Sequence, residues 1–410
     1  MNPVSDGRWP RVILLADMNA FFASVEQIDH PEWRAKPIAL TNGDIGTCII
    51  TCSYEARAFG VRTGMHIKQA RQLCPDLVRI TSRPQRYAEV SADIMRALST
   101  FTPELEIFSV DEAFLDVTRC QRLWGSPREV ALRVKRTVYE HSGVLCSIGV
   151  SGDKTTAKFA AKLHKPDGLT IIPPWQAKER LAHTPLTGLC GVNSGIAGML
   201  AAYGVHTCAD LQKLPISVLG KRFGNPGRRI WLMAQGLDPE PVKTSIPAAQ
   251  SIGHGKVLPP NTRDAESIRV FMMHMSHKLA ERLRSNRLVA QQFLFGLRLY
   301  RGWLKTTARS LLPSDDERVI YRLGTRWLRQ AWSGQGIWQI RIVALDPKAP
   351  CQADLFQRKH PARQRAHLAM DQINQRYGPM TLASARLLGR STMPDVISPA
   401  WKPHGHRKTV

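Results

Sequence analysis

Apolar residues run without interruption from Val12 to Leu15, and a carboxylate, Asp17, follows two positions later. A run with no polar alternation predicts a strand buried on both faces. A second segment, EIFSVDEAFLDV (106–117), sets Phe108, Val110 and Phe114 in a strand-like pattern around the adjacent Asp111 and Glu112. Neighbours on a regular strand point to opposite faces, so these two converge only where the chain turns; a hairpin bend is expected between FSV and AFLDV. Between the two segments, PIALT and TCIITCSYEARAFG read as strand-like, and a helical stretch begins near Met65. Residues 83–100 have helical periodicity, with Tyr87, Val90, Ile94 and Leu98 on one face. A helix over 127–141 and a strand over 144–151 (VLCSIGVS) complete an α+β module that ends near residue 173, in the Pro-rich IIPPW.

Further on, residues 174–240 read as short helices joined by Gly and Pro turns. Within them PLTGLCGVNSGIAGMLAAYGV (185–205) has the form of a helix-hairpin-helix, whose tight turn exposes backbone N–H groups to a nucleic-acid phosphate; a plain α-hairpin is the alternative. Gly191-Val192-Asn193 stands where such turns have Gly-x-Gly, and Asn193 is expected to take a positive φ, which Asn tolerates better than most residues. PEPVKTSIPAAQS (239–251) reads as a linker. Residues 252–346 then form a second α+β domain, with a basic helix (SIRVFMMHMSHKLAERLRSNRL) and strands such as QQFLFGLRLY and WQIRIVALD. The fold class is therefore multidomain α+β.

Charge divides the chain more sharply than hydropathy does. Of 57 Lys and Arg and 33 Asp and Glu in 410 residues, residues 1–150 hold 18 and 17, a net of +1, and residues 151–410 hold 39 and 16, a net of +23. An excess of this size points to a polyanion, nucleic acid or an anionic membrane. No apolar run reaches the roughly eighteen residues that span a bilayer, and MNPVSDGRWP lacks a basic stretch followed by an apolar one. Nucleic acid is the better reading, in a cytoplasmic protein with no membrane partner. Arg298 and Arg301, with Lys305 and Arg309 nearby, are placed to follow a phosphate backbone. The eight cysteines are scattered with no C-x-x-C pair, and are read as reduced core thiols.

Three carboxylates, Asp17, Asp111 and Glu112, make an all-oxygen donor set suited to Mg²⁺. Two such ions, roughly 3.5 to 4 Å apart, activate an attacking hydroxyl and stabilise a leaving pyrophosphate. No Gly-x4-Gly-Lys phosphate loop is present, which fits an enzyme that holds a triphosphate through side chains and metal.

The motifs ADMNAFFASVE, SYEARAFGVRTGM, SVDEAFLDV, GVSGDKTTAKFAAKLHKPDGL and LQKLPISVLGKRFGNPGRRIWLMAQGLDPEPV, in this order, resemble the Y-family (translesion) DNA polymerases. The likeness is to the bacterial DNA polymerase IV (DinB) group across residues 10–356, with a longer, UmuC-like C-terminal end. The resemblance implies a right-hand architecture: palm at 10–20 and 83–173, fingers at 21–82, helical thumb at 174–240, linker at 241–251, little finger at 252–346 and a tail at 347–410. It implies Asp17, Asp111 and Glu112 as catalytic metal ligands for two Mg²⁺, with the Met18 carbonyl a further ligand. Phe22 matches the steric gate that excludes a ribose 2′-OH, and Phe21 beside it is expected at the nucleotide too; Tyr54, Arg57 and Lys165 match the triphosphate contacts. Gly191, Asn193, Arg298 and Arg301 are expected at DNA, and Lys158 close to DNA or the incoming nucleotide. Gln352-Ala353-Asp354-Leu355-Phe356 matches the Q-x-x-L-F peptide that docks on the sliding clamp, with Gln352, Leu355 and Phe356 as contacts. The implied partners are primer-template DNA, a dNTP and the clamp, and the implied state is a monomer. Asn19 departs from the D-x-D of many members, and 54 residues follow the clamp peptide, which usually ends the chain. A non-catalytic clamp-binding scaffold is the alternative in another class, disfavoured because all three carboxylates are present. A nucleotidyl cyclase or metal nuclease leaves the hairpin motif, the basic half and the clamp peptide unexplained.

Overall fold

Every residue of β1 (Ile13–Met18) is buried, and its two faces serve two cores. Leu14, Ala16 and Met18 join one apolar cluster, while Ile13 and Leu15 join another with Phe114, Ala157 and Ala161. This double burial is the reason for the run without polar alternation. The computed structural model describes residues 9–43, 47–245, 248–350 and 361–389. Residues through Ile246 form one unit and Pro247–Met393 a second.

In the first unit, α1 (Phe21–Asp29) leaves β1 through Ala20, which takes the left-handed conformation at φ 43°. The small sheet that follows is built from β2 (Ile38–Thr41), β3 (Ile49–Cys52) and, past α2 (Tyr54–Ala58) and α3 (Ile67–Leu73), β4 (Val78–Thr81), in the order β3-β2-β4. The expected strand over SYEARAFG is corrected here: Ser53 caps the Ala56 N–H and starts a helix at Tyr54. Next comes α4 (Pro84–Leu98), which buries Tyr87, Val90, Ile94 and Leu98 as its periodicity requires.

The central sheet is completed by β5 (Leu105–Ile107), β6 (Glu112–Asp116), then α5 (Gln121–Trp124), α6 (Pro127–Ser142), β7 (Cys146–Ser151), α7 (Lys154–Leu163) and β8 (Leu169–Ile171). Its order is β5-β6-β1-β7-β8, with β1 antiparallel to both neighbours. Phe108 and Val110 lie in the bend and not in a strand, leaving Asp111 at its end and Glu112 as the first residue of β6. The helix α7 crosses β7 at Gly149, where a Cβ would fall 2.0 Å from the Ala157 carbonyl oxygen, so this crossing admits no side chain.

Five short helices follow, α8 (Ala177–Leu181), α9 (Ser194–Ala201), α10 (Cys208–Leu211), α11 (Ile216–Phe223) and α12 (Asn225–Met233). They share a core that includes Leu200, Leu211, Leu219 and Ile230. The stretch read as a linker is pinned to this unit through residue 243: the Lys243 N–H donates to Glu106 at 2.8 Å, and Lys154 pairs with Glu106 and Glu240.

The second unit has β9 (Ile252–Thr262), α13 (Ala265–Ser285), β10 (Ala290–Leu299), β11 (Gly302–Ser314), α14 (Glu317–Ala331) and β12 (Ile337–Ala344). The antiparallel sheet runs β11-β10-β12-β9, with α13 and α14 sharing the core on one face. A last helix, α15 (Pro361–Tyr377), adheres through polar contacts: Arg284 to Asp371 at 2.6 Å, Arg363 to Asp316 at 3.2 Å and His367 to Glu317 at 3.3 Å.

Candidate active site

Cross-strand pairing sets Asp17 at the end of β1 directly opposite Glu112 at the start of β6. The hairpin brings in Asp111, whose carbonyl accepts the Met18 N–H at 2.9 Å and whose carboxylate accepts the Ser109 hydroxyl at 2.6 Å. Two ammonium groups answer the acids: Lys165 Nζ lies 2.5 Å from Asp17 and Lys158 Nζ 2.5 Å from Glu112. Burial pushes the Asp17 carboxyl up to about 7 despite Lys165, with Glu112 and Asp111 adding to the rise. Burial likewise raises Asp111, helped by Glu112. A proton or a cation must relieve such a set.

Lys158, expected close to DNA or the incoming nucleotide, has a side chain that is 11% exposed and lies on Glu112 and over the Phe108 ring at 4.4 Å. The three carboxylates do not close into a trio with all ligand atoms within 4.8 Å of one another. Among the described residues that spacing is met by Asp316, Glu317 and His367 in the second unit. Those acids are already engaged by Arg363 and Arg284 as well as by His367, so the trio is an ion-pair network holding α15.

Beside the acids, α1 presents two aromatic rings with different fates. Phe21, expected at the nucleotide, has its ring in the core, 2% exposed. Phe22 is half-buried and stacks on Tyr87 at 4.5 Å, with 21° between the rings. Tyr87 is itself fixed by its hydroxyl, which donates to the buried Glu26 at 2.5 Å, and Glu26 is paired with Arg83. On α2, Arg57 sits 4.8 Å over the Tyr54 ring, so both residues face the same way one turn apart. The Tyr54 hydroxyl is buried without a hydrogen bond of good geometry, Asn19 being close enough to act on it but not to pair. Met18, last in β1, pairs with Cys146 in the register.

Asn193 does not take a positive φ. It is extended at φ −93° and caps α9, accepting the Ile196 N–H at 2.9 Å; the positive φ of this turn belongs to Gly191, at 86°. Gly191 and Asn193 thus remain at the turn, with the roles of the two divided. In the second unit Arg298 is exposed on β10, and Arg301 lies in the turn to β11. Register aligns Lys305 on β11, Gly296 on β10 and Arg341 on β12 in one row, with Arg298 opposite Trp303. Sequence reading missed Arg341, although its alternation with Ile340 and Ile342 signals an outward position. The clamp-peptide residues Gln352, Leu355 and Phe356 lie outside the described residues.

Two family matches fall on the chain: the impB/mucB/samB family over residues 16–162, and that family's C-terminal domain over 249–355. DNA polymerase IV of Pelotomaculum thermopropionicum is 34% identical over 384 residues, 91% of this chain and 94% of the relative. DNA polymerase IV of Moorella thermoacetica is 35% identical over 374 residues, 89% and 93% respectively. A chimera of the Y-family DNA polymerases Dbh and Dpo4 shares the fold, with a TM-score of 0.72 at 24% identity, covering 83% of this chain and 100% of that one.

Proposed function

The chain belongs to the impB/mucB/samB family and is a Y-family DNA polymerase, and from that premise we propose that it performs template-directed, low-fidelity translesion synthesis around Asp17, Asp111 and Glu112. The observation that carries this is the cross-strand convergence of those carboxylates, answered by two lysines, next to a stacked aromatic ring on α1. The donor set fits Mg²⁺: it is all oxygen and its burial makes uncompensated charge costly. Asp17, Asp111, Glu112 and the Met18 carbonyl would hold two ions. When bound, Mg²⁺ supplies activation of the primer 3′-OH and charge stabilisation of the departing pyrophosphate.

The side chains do the rest. Lys165, Arg57 and the Tyr54 hydroxyl grip the triphosphate, two cations and a phenol against a polyanion. A buried hydroxyl without a good partner, as in Tyr54, gains on meeting a phosphate oxygen. The Phe22 ring, backed by Tyr87, occupies the volume a 2′-OH needs. In this reading the central sheet is the palm, the small sheet the fingers, the helices of residues 174–240 the thumb and residues 252–346 the little finger. Gly191 and Asn193, and the outward row of Arg298, Lys305 and Arg341 with Arg301, meet phosphates of the primer-template. Residues 352–356 recruit the protein to the sliding clamp, and the polymerase acts as a monomer in the cytoplasm.

One primer-extension assay tests the centre. Asp111→Ala abolishes extension with DNA affinity retained, and Phe22→Ala admits ribonucleotides. Residual synthesis by the first variant at more than about a hundredth of the parent rate, or unchanged sugar selection in the second, refutes the corresponding assignment.

A further inference from the structure

Asn19 lies one residue past β1, is 3% exposed and uses both ends of its amide. Its Nδ2 donates to Ser147 Oγ on β7 at 3.0 Å, and its Oδ1 accepts the Asp167 N–H at 2.7 Å. Ser147 Oγ in turn accepts the Gly168 N–H at 3.2 Å. From α6, Lys135 holds the same turn, with its ammonium 2.7 Å from the Asp167 carboxylate and donating to the Asp167 carbonyl. Asp167 is in the left-handed region at φ 55°, and a Cβ on Gly168 would fall 2.0 Å from the His164 carbonyl oxygen, so the turn has one tight shape. Lys165, which faces Asp17, stands at the head of this turn.

We propose that Asn19 is a positioning residue for nucleotide binding: it ties the turn of residues 165–168 to the end of β1 and so sets where the Lys165 ammonium stands. The inference rests on the reading of Lys165 as a triphosphate contact. Lysine is a point charge on a flexible stem, and its ammonium is placed only as well as the backbone beneath it. An amide suits the task because it donates to Ser147 and accepts from Asp167 at once. It also brings no further negative charge into a pocket that holds three carboxylates. The position thus has a structural task here, met by both ends of one amide.

The test is steady-state primer extension with Asn19→Ala, Lys165→Ala and the double variant, reading dNTP KM and kcat separately and melting temperature in parallel. Asn19→Ala raises the dNTP KM about tenfold and changes kcat less than about threefold. In the Lys165→Ala background the same substitution changes KM less than about twofold, because the two act through one contact. Asn19→Asp, which keeps the acceptor for the Asp167 N–H, recovers most of the KM. Full multiplicative effects in the double variant, or an unchanged KM in Asn19→Ala, overturn the proposal while leaving Lys165 in place. No KM effect of Lys165→Ala alone overturns the triphosphate reading of Lys165 and this inference with it. Should Asn19→Ala not fold, Ser147→Ala cuts the other half of the tie and faces the same expectations.

Discussion

At the residue scale, the centre is governed by how four buried or partly buried charges share a small space. Asp17 is buried and flanked by Glu112 and Asp111, and only Lys165 keeps its carboxyl from rising further. Its carboxyl holds a proton up to about 7 in the folded chain against an ordinary value of 3.8. Between those values the folded state binds more protons than the unfolded one, so ionising Asp17 lowers stability as pH rises through that window. Mg²⁺ needs the ionised carboxylate, so its affinity rises with pH toward about 7 and falls by up to about tenfold per unit below it. Calorimetric Mg²⁺ titrations one unit below and one unit above that midpoint check this, and a pH-independent affinity removes Asp17 from the ligand set. Asp17 and Asp111 were legible in the sequence because each ends or bends an apolar run. Lys158 was read from the sequence as close to DNA or the incoming nucleotide; that it covers Glu112 follows from the crossing of α7 over the sheet.

At the scale of elements, burial explains which segments could be read in advance. Strand β1 and helix α4 bury continuous or periodic apolar faces, and both were evident from hydropathy. Helix α2 was mistaken for a strand because five residues are too few for a period, and its start is set by one hydrogen bond to Ser53. Helix α15 shows the opposite case, a helix whose inward face is polar: Arg363, His367, Asp371 and Asn374 point inward, and Leu368 and Tyr377 are exposed. Its attachment centres on Arg284, a side chain 6% exposed that bonds Asp371 twice and also reaches Glu317. Removing one partner of such a buried pair costs about 3–5 kcal/mol, since the remaining carboxylates lose their counter-charge. Arg284→Ala therefore frees α15, seen as loss of amide-exchange protection over residues 361–377 with the sheet of the same unit unchanged. Equal protection in both proteins excludes the ion pairs as the attachment.

For the whole molecule, charge and chemistry are divided along the chain. The carboxylates sit in a stretch of nearly balanced charge, and the net +23 lies beyond residue 150. If about six or more phosphates are neutralised, DNA affinity falls at least ~10³-fold between ~50 and ~200 mM salt. A binding curve flat in salt would deny the cationic surface its role. Recruitment is tested separately: removing Leu355 and Phe356 lowers clamp-stimulated synthesis and spares basal synthesis, whereas equal stimulation of both proteins rejects the docking peptide. Among the described residues no helix is long and apolar enough to cross a membrane, in keeping with the absence of such a run. The sequence by itself determined the family, the α+β class and the charge divide, and it singled out the three carboxylates as candidates, because motifs and apolar runs are local and survive as written. Only the tertiary structure decided that Lys158 pairs with Glu112, that Phe21 is core while its neighbour Phe22 is half-buried and stacks on Tyr87, that Asn193 caps a helix and that Asn19 holds the turn behind Lys165. Apart from the Asn193 cap, whose partner is three residues away, these depend on contacts between residues far apart in the chain, and which groups meet there is set by strand register and helix crossing, quantities no local pattern contains.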